Sequence, residues 1–266
     1  VYKGDWPRRA VLDGNIVSMI GPSFDEGPGE AKPAELRENL NRCFKGFEPN
    51  GEGFILSDDE AHRLISKNEA NQQVVFKYLS GRDINNSPTS TSARWIIYFD
   101  EMPLEQAATY PEVIQIVEDR VKPERLMKDV LKYPRMVNEW WKFWINKREL
   151  RDQLKSLNRV LCQCRTSKTH AFVFCETGSI FSTEVIVVTD SRYSAFSVLQ
   201  SSLHEVWAWR YSSTFKGDRR YAPTDCFVNF PFPQCFAECE ELNFLGERYH
   251  EHRRALMRQL WLGLTD

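Results

Sequence analysis

Apolar residues fall in short runs punctuated by turn signals over the first hundred positions, and in helical spacing over much of the chain after residue 120. Ala10–Val11 and Ile16–Val17 flank Asp13-Gly14-Asn15, the pattern of two short strands around a tight turn. SFDEGPGEAKPAE, residues 23–35, is rich in Gly, Pro and acid and is expected to be an exposed linker. Cys43 to Phe47 and Phe54 to Leu56 read as strands around the Pro49-Asn50-Gly51 turn. Ser57 with Glu60 makes a capping box that opens a helix through Ala61, Leu64 and Ile65. ARWIIYF, residues 93–99, is β-branched and aromatic, the next expected strand.

Beyond residue 120 the period changes. Pro123 suits a first helical turn, and Pro134 should break or kink the helical segment around it. Val137, Trp140, Trp141, Trp144, Leu150, Leu154 and Leu157 then recur at helical spacing, as core positions do. RVLCQC (159–164), HAFVFC (170–175) and VIVVT (185–189) form a strand cluster. Ala195, Val198, Leu199, Ser202, Val206 and Trp209 mark one amphipathic helix running into a polar connector, KGDRRY, residues 216–221. VNFPFP (228–233) closes the sheet region, because its two prolines cannot continue a central strand. The last thirty residues read as a helix with Leu242, Leu245, Tyr249, Leu256 and Leu260 on one side. No internal repeat is visible.

Composition is that of an ordinary globular protein, 42% hydrophobic and 27% charged, with no run long enough to span a bilayer. Seven cysteines, an odd number in a chain too long to need staples, favour reduced thiols and the cytoplasm. The chain starts at Val1 without an initiator Met or signal peptide and stops at Asp266 within a helical pattern, so it is expected to be a piece of a longer polypeptide. Net charge is −2, which removes a bulk electrostatic argument for nucleic acid, but the charge is unevenly spread. Residues 120–168 hold 14 Lys+Arg against 5 Asp+Glu, inside an otherwise acidic chain. Such a segment fits a local phosphate-facing surface, and solvated helix faces fit the same tally.

The KGDRRY connector concentrates the candidate chemistry. Lys and Arg donate to guanine O6 and N7 while Asp accepts from cytosine N4, so one rigid loop could address both halves of a G·C pair. A solvated surface turn accounts for the same residues. Catalytic patterns are missing: there is no amino-methylation NPPY-type signature, GxGxxG, phosphate loop or nucleophile elbow, and His62, His170, His204, His250 and His252 are scattered. Asp25 with Glu30-Ala31-Lys32 has the letters of a PD-(D/E)xK nuclease but falls in the linker. Cys235 and Cys239 on one helical face, then His250 and His252 further along, lack the convergence a zinc site needs. No metal site and no catalytic residue is assigned.

Seven phrases together resemble one family: KGDW (3–6), CFKGF…GEGF (43–54), YLSGRDIN (78–85), VKPER…WWKF (121–143), SVLQSSLHEVW (197–207), RRYAPTDCFVNFPFP (219–233) and YHEHRRALM…LGLTD (249–266). In this order they resemble the C-terminal part of the MmeI-like, type IIL restriction–modification enzymes and of related adenine methyltransferases of phage defence. The resemblance implies a target recognition domain of α+β class: a mixed β-sheet core with flanking helices, similar to type I specificity subunits, plus a C-terminal helix. It further implies residues 1–41 as strand pair and linker leaving a methyltransferase domain, 42–235 as the recognition domain and 236–266 as a helical tail.

The function so implied is recognition of specific double-stranded DNA by a non-catalytic fragment. The parent polypeptide would carry an adenine-N6 methyltransferase domain using S-adenosylmethionine, and a Mg-dependent nuclease in some members. Lys216, Asp218 and Arg220 are the first group of base-reading candidates, and Ser182, Thr183 and Glu184 at the start of the VIVV strand are the second. Arg165, Lys168 and Arg219 are the phosphate candidates. The alternative is a protein-interaction module that docks partners in a defence complex.

Overall fold

Asp13 and Gly14 both take positive φ (49° and 81°), the conformation of a two-residue hairpin turn that matches strand twist. They join β1 (Ala10–Leu12) to β2 (Asn15–Val17) as an antiparallel pair with Ala10 opposite Val17. A computed structural model describes residues 10–17 and 33–265. KGDW at 3–6, most of the 23–35 linker, and Asp25 with Glu30–Lys32 lie outside the described residues. The chain divides into two compact units, Val1–Glu35 and Leu36–Asp266. The second unit carries the remaining strands and the helices.

Its strands are β3 (Cys43–Lys45), β4 (Ile55–Leu56), β5 (Val75–Leu79), β6 (Trp95–Ile97), β7 (Arg159–Cys164), β8 (Thr166–Ser167), β9 (Val173–Glu176), β10 (Ser179–Phe181), β11 (Val185–Val188), β12 (Ser213–Phe215) and β13 (Asp218–Arg220). They form three sheets, ordered β10-β5-β6-β4, β3-β11-β7-β9 and β12-β13-β8. The first is mixed, since β10 runs parallel to β5 while the other pairs are antiparallel. All four residues of β11 are buried, which is why VIVV is continuously apolar rather than alternating. The 43–47 and 54–56 runs do become strands, but they join different sheets: β3 pairs with β11 and β4 with β6.

Helices α1 (Asp58–Lys67), α2 (Gly81–Asn86), α3 (Leu104–Ala107), α4 (Pro111–Arg120), α5 (Lys122–Leu126), α6 (Pro134–Asn138), α7 (Arg148–Leu154), α8 (Tyr193–Gln200), α9 (Ser202–Tyr211) and α10 (Glu240–Leu260) flank the sheets. The capping box at α1 forms as expected, with Ser57 Oγ accepting from Glu60 N and Glu60 accepting from Ser57 N.

Four helical expectations are corrected. Residues 139–147 are not helical, although Trp140, Trp141 and Phe143 are core residues. Two of their carbonyls serve another donor in place of a helical ladder: buried Arg125 donates to Trp140 O (3.2 Å) and Lys142 O, and also to Pro49 O (2.6 Å). The 195–209 helix is broken at Ser201, whose extended backbone caps α9 through His204 N (3.3 Å). The α9 core face is then His204 and Ala208, leaving Val206 and Trp209 exposed.

On α10 the expected core stripe is exposed at Leu245, Tyr249, Leu256 and Leu260, whereas Gly246, His250 and Met257 are buried. Close approach decides this. A Cβ on Gly246 would sit 2.2 Å from Tyr193 O, and the His250 ring packs on Phe174, Tyr193 and Phe196. Cys235 adopts a left-handed backbone before a short 3-10 turn and Cys239 caps α10, so the two do not share a helical face. VNFPFP is not a strand either; it comes after a π-helical turn, Pro223–Phe227.

Candidate nucleic-acid interface

The KGDRRY connector supplies the turn and second strand of a β-hairpin whose first strand is β12. Lys216 (φ 52°) and Gly217 (φ 86°) form its two-residue turn, the same left-handed pair as Asp13-Gly14. The register pairs Phe215 with Asp218, Thr214 with Arg219, and Ser213 with Arg220. Directly opposed residues share a face and successive ones alternate, so Ser213, Phe215, Asp218 and Arg220 lie on one face and Thr214 and Arg219 on the other. On its far edge β13 pairs with β8, Arg220 against Thr166 and Arg219 against Ser167.

Alternation sends Arg219 inward. Its side chain is 1% exposed, and it donates to His170 Nδ1 (2.5 Å) and Gln163 Oε1 (3.3 Å). As acceptor at Nδ1, His170 carries its proton on Nε2 and donates it to Leu199 O (2.7 Å). Burial, and after it the Arg219 charge, brings His170 down to about 4. The phosphate role expected of Arg219 is therefore corrected: it anchors the hairpin to the body and has no surface to offer DNA. Lys216 and Arg220, in contrast, are exposed and Asp218 half-exposed.

The second group sits on the turn between β10 and β11. Ser182 is 4% exposed and its Oγ accepts from Glu184 N (3.2 Å), so the base-reading role expected of it is corrected as well. Thr183 is half-buried and Glu184 exposed, with Glu184 Oε2 accepting from Gly81 N (3.3 Å) at the start of α2. Arg165 ties the two groups together: its N donates to Glu184 O (2.7 Å) and its O accepts from Tyr221 N (2.8 Å). Arg82, Asn85, Cys164, Arg165, Thr166 and Glu184 line a hollow of about 310 Å³ between them. The half-buried Cys164 thiol, raised chiefly by burial, also feels both Glu184 and Asp218, so both candidate carboxylates act on one sulfur.

A cationic cluster adjoins this surface. Burial, then Arg165 and, with Glu48 opposing, Lys147 and Arg220, lower the Lys45 ammonium below its ordinary value. Burial and the Arg220 charge likewise lower Arg165. Sequence reasoning missed Lys45, a single polar residue at the end of a short strand, and Lys147, submerged in a charged run. Lys168 is exposed just past β8. Among the described residues no acid lies within ion-pair distance of Arg165, Lys168, Lys216 or Arg220.

Most other cations of the 120–168 segment are engaged in ion pairs. Arg120 pairs with Glu60, Lys122 with Glu118, Arg135 with Glu101, Lys142 with Glu101 and Glu139, and Arg151 with Asp100. Of the expected phosphate-facing segment, Arg165 and Lys168 at its end, with Lys147 and the exposed Lys132, are left outside these pairs. Among the described residues no group of three or more His, Cys, Asp or Glu is placed to hold a metal, and no helix is long and apolar enough to cross a membrane.

The family described as MmeI, target recognition domain, matches residues 31–234. The chain belongs to this family. The matched range contains β3–β13 and both candidate groups, and it ends before α10. The fold also matches a solved structure, the type IIL restriction-modification enzyme MmeI in complex with DNA. The TM-score is 0.67 at 16% identity, over 94% of this chain and 33% of that one. The chain therefore spans about a third of that enzyme. No curated protein matches the chain. The α+β architecture expected from sequence, with a mixed sheet, flanking helices and a C-terminal helix, is the architecture of this MmeI target recognition domain.

Proposed function

We propose that the chain reads a short sequence in double-stranded DNA through the β12–β13 hairpin and the 183–184 turn. The observation that carries this is the convergence of Asp218 and Arg220 with Glu184 around Cys164 and Arg165, beside Lys45 and Lys147, with Lys216 exposed at the tip of the same hairpin. Exposed cations at a hairpin tip reach guanine O6 and N7, and the two carboxylates accept from cytosine N4. Arg165, Lys168 and Lys45 contact phosphates and set register, a role that carries no sequence information. The hairpin is held by a buried arginine, so its tips enter the groove preorganised.

The MmeI match supports the same reading, because that relative was solved in complex with DNA. We further infer a longer parent polypeptide with an adenine-N6 methyltransferase domain using S-adenosylmethionine, and a Mg-dependent nuclease where one is fused. That enzyme would act in the cytoplasm in restriction–modification or phage defence. The methylated adenine would be flipped into the methyltransferase pocket while this domain holds the duplex. The fragment itself performs no chemistry.

One observation favours a second role. Leu245, Tyr249, Leu256 and Leu260 expose an apolar stripe along α10, as a surface for a protein partner would. Gel shift of the protein on a selected duplex against a scrambled one separates the two. Preferential retardation of the selected duplex supports DNA reading; equal or absent retardation leaves the interaction role.

A further inference from the structure

Phe215 closes β12 at the hairpin tip and is 55% exposed. It lies directly opposite Asp218 and shares a face with Asp218 and Arg220. Lys216 Nζ lies 5.7 Å from the centre of its ring. The hairpin does not need this side chain for its core, since the face that packs inward carries Arg219. A large apolar group is thus held out among three charged candidates on a preorganised tip.

Resting on the DNA reading above, we propose that Phe215 reads the 5-methyl group of a pyrimidine in the major groove. Every hydrogen-bonding group on a major-groove base edge is useless to a phenyl ring. The one apolar feature there is the C5-methyl of thymine, for which Phe is a suitable contact. Directly opposed side chains stand about 5 Å apart, and successive base pairs about 3.4 Å. Phe215 therefore falls on a pair within a step or two of the pair that Asp218 contacts. The hairpin then specifies adjacent positions by different chemistry, one by hydrogen bonding and one by apolar contact. Thymine and 5-methylcytosine offer the same methyl.

The test uses the protein and its preferred duplex, obtained by selection from a randomised pool. Each thymine is replaced singly by deoxyuracil, which lacks the methyl, and each cytosine by 5-methylcytosine. Dissociation constants are measured for wild type, Phe215→Ala and Phe215→Leu. Burying one methyl is worth roughly a fourfold change in affinity. The expected result is one position where deoxyuracil weakens wild type about three- to tenfold, or where 5-methylcytosine strengthens it by as much. Phe215→Ala should bind methylated and unmethylated duplexes alike, and Phe215→Leu should keep part of the difference. A protein that prefers a sequence but ignores every 5-methyl group, or a Phe215→Ala variant as methyl-sensitive as wild type, overturns this proposal and leaves the DNA reading standing. A protein with no sequence preference overturns both.

Discussion

Residues 120–168 hold 14 Lys+Arg against 5 Asp+Glu, yet most of those cations are paired or buried, whereas Lys216 and Arg220 of the β12–β13 hairpin both stand exposed with no carboxylate within ion-pair reach among the described residues. In the segment, Arg120, Lys122, Lys128, Arg135, Lys142, Arg148, Arg151 and Lys155 each have a carboxylate within ion-pair reach. Arg125 is buried against four backbone carbonyls, so burial brings it down to about 10. In the hairpin, Lys216 and Arg220 stand exposed, and the one buried cation, Arg219, fixes the frame they stand on. A charge tally counts cations. Recognition depends on which cations lack a partner and are held in place.

The largest effect should come from the anchor. Arg219→Ala leaves His170 Nδ1 and Gln163 Oε1 without a donor in the interior, and we expect a loss of about 2–4 kcal/mol in stability by chemical denaturation. Sequence preference should fall with it, as the hairpin loosens. An unchanged denaturation midpoint would remove the anchor from the comparison.

Buried histidines predict the pH response. His170 and His250 are held at about 4, against an ordinary 6.5. Between those values the unfolded chain binds protons that the folded chain refuses. Stability should be complete above about pH 6.5 and decline as the pH falls toward about 4. Denaturation curves across that window check this. His170→Gln, which keeps an acceptor for Arg219 but does not titrate, should flatten the decline.

Smaller effects separate the two regions further. Lys216→Ala or Asp218→Ala should relax preference at one base pair by about 1–3 kcal/mol, read from affinities on single-substituted duplexes. Lys168→Ala should weaken all duplexes alike and lower the salt slope of binding by about one. Arg148→Ala, which removes an exposed side chain paired with Asp152, should change DNA affinity by less than about 0.5 kcal/mol. A loss at Arg148 equal to that at Lys168 would return the whole segment to the interface.

Local signals were legible where the chain satisfies them locally. The Asp13-Gly14 turn, the Ser57/Glu60 box and the strand at 159–164 stand where periodicity and capping put them. The β12–β13 hairpin is hidden in the sequence because its strands have three residues each and DRR is wholly charged, so only Gly217 marks a turn. The fate of Arg219 depends on His170 and Gln163, far away in sequence. Ser182 and Glu184 look alike as polar residues flanking a strand, but only Glu184 is exposed. The α10 stripe failed because helical spacing identifies an apolar face without saying what covers it, and Gly246 with His250 makes the tighter fit to α8.

The most direct test measures dissociation constants of wild type, Asp218→Ala and Lys168→Ala on the preferred duplex and on each of its single-base variants, over a range of salt. Our account predicts that Asp218→Ala loses discrimination at one position with an unchanged salt slope, and that Lys168→Ala loses affinity uniformly with a shallower slope. If both variants weaken every duplex by the same factor and with the same slope, the division between base-reading hairpin and phosphate-holding flank is wrong.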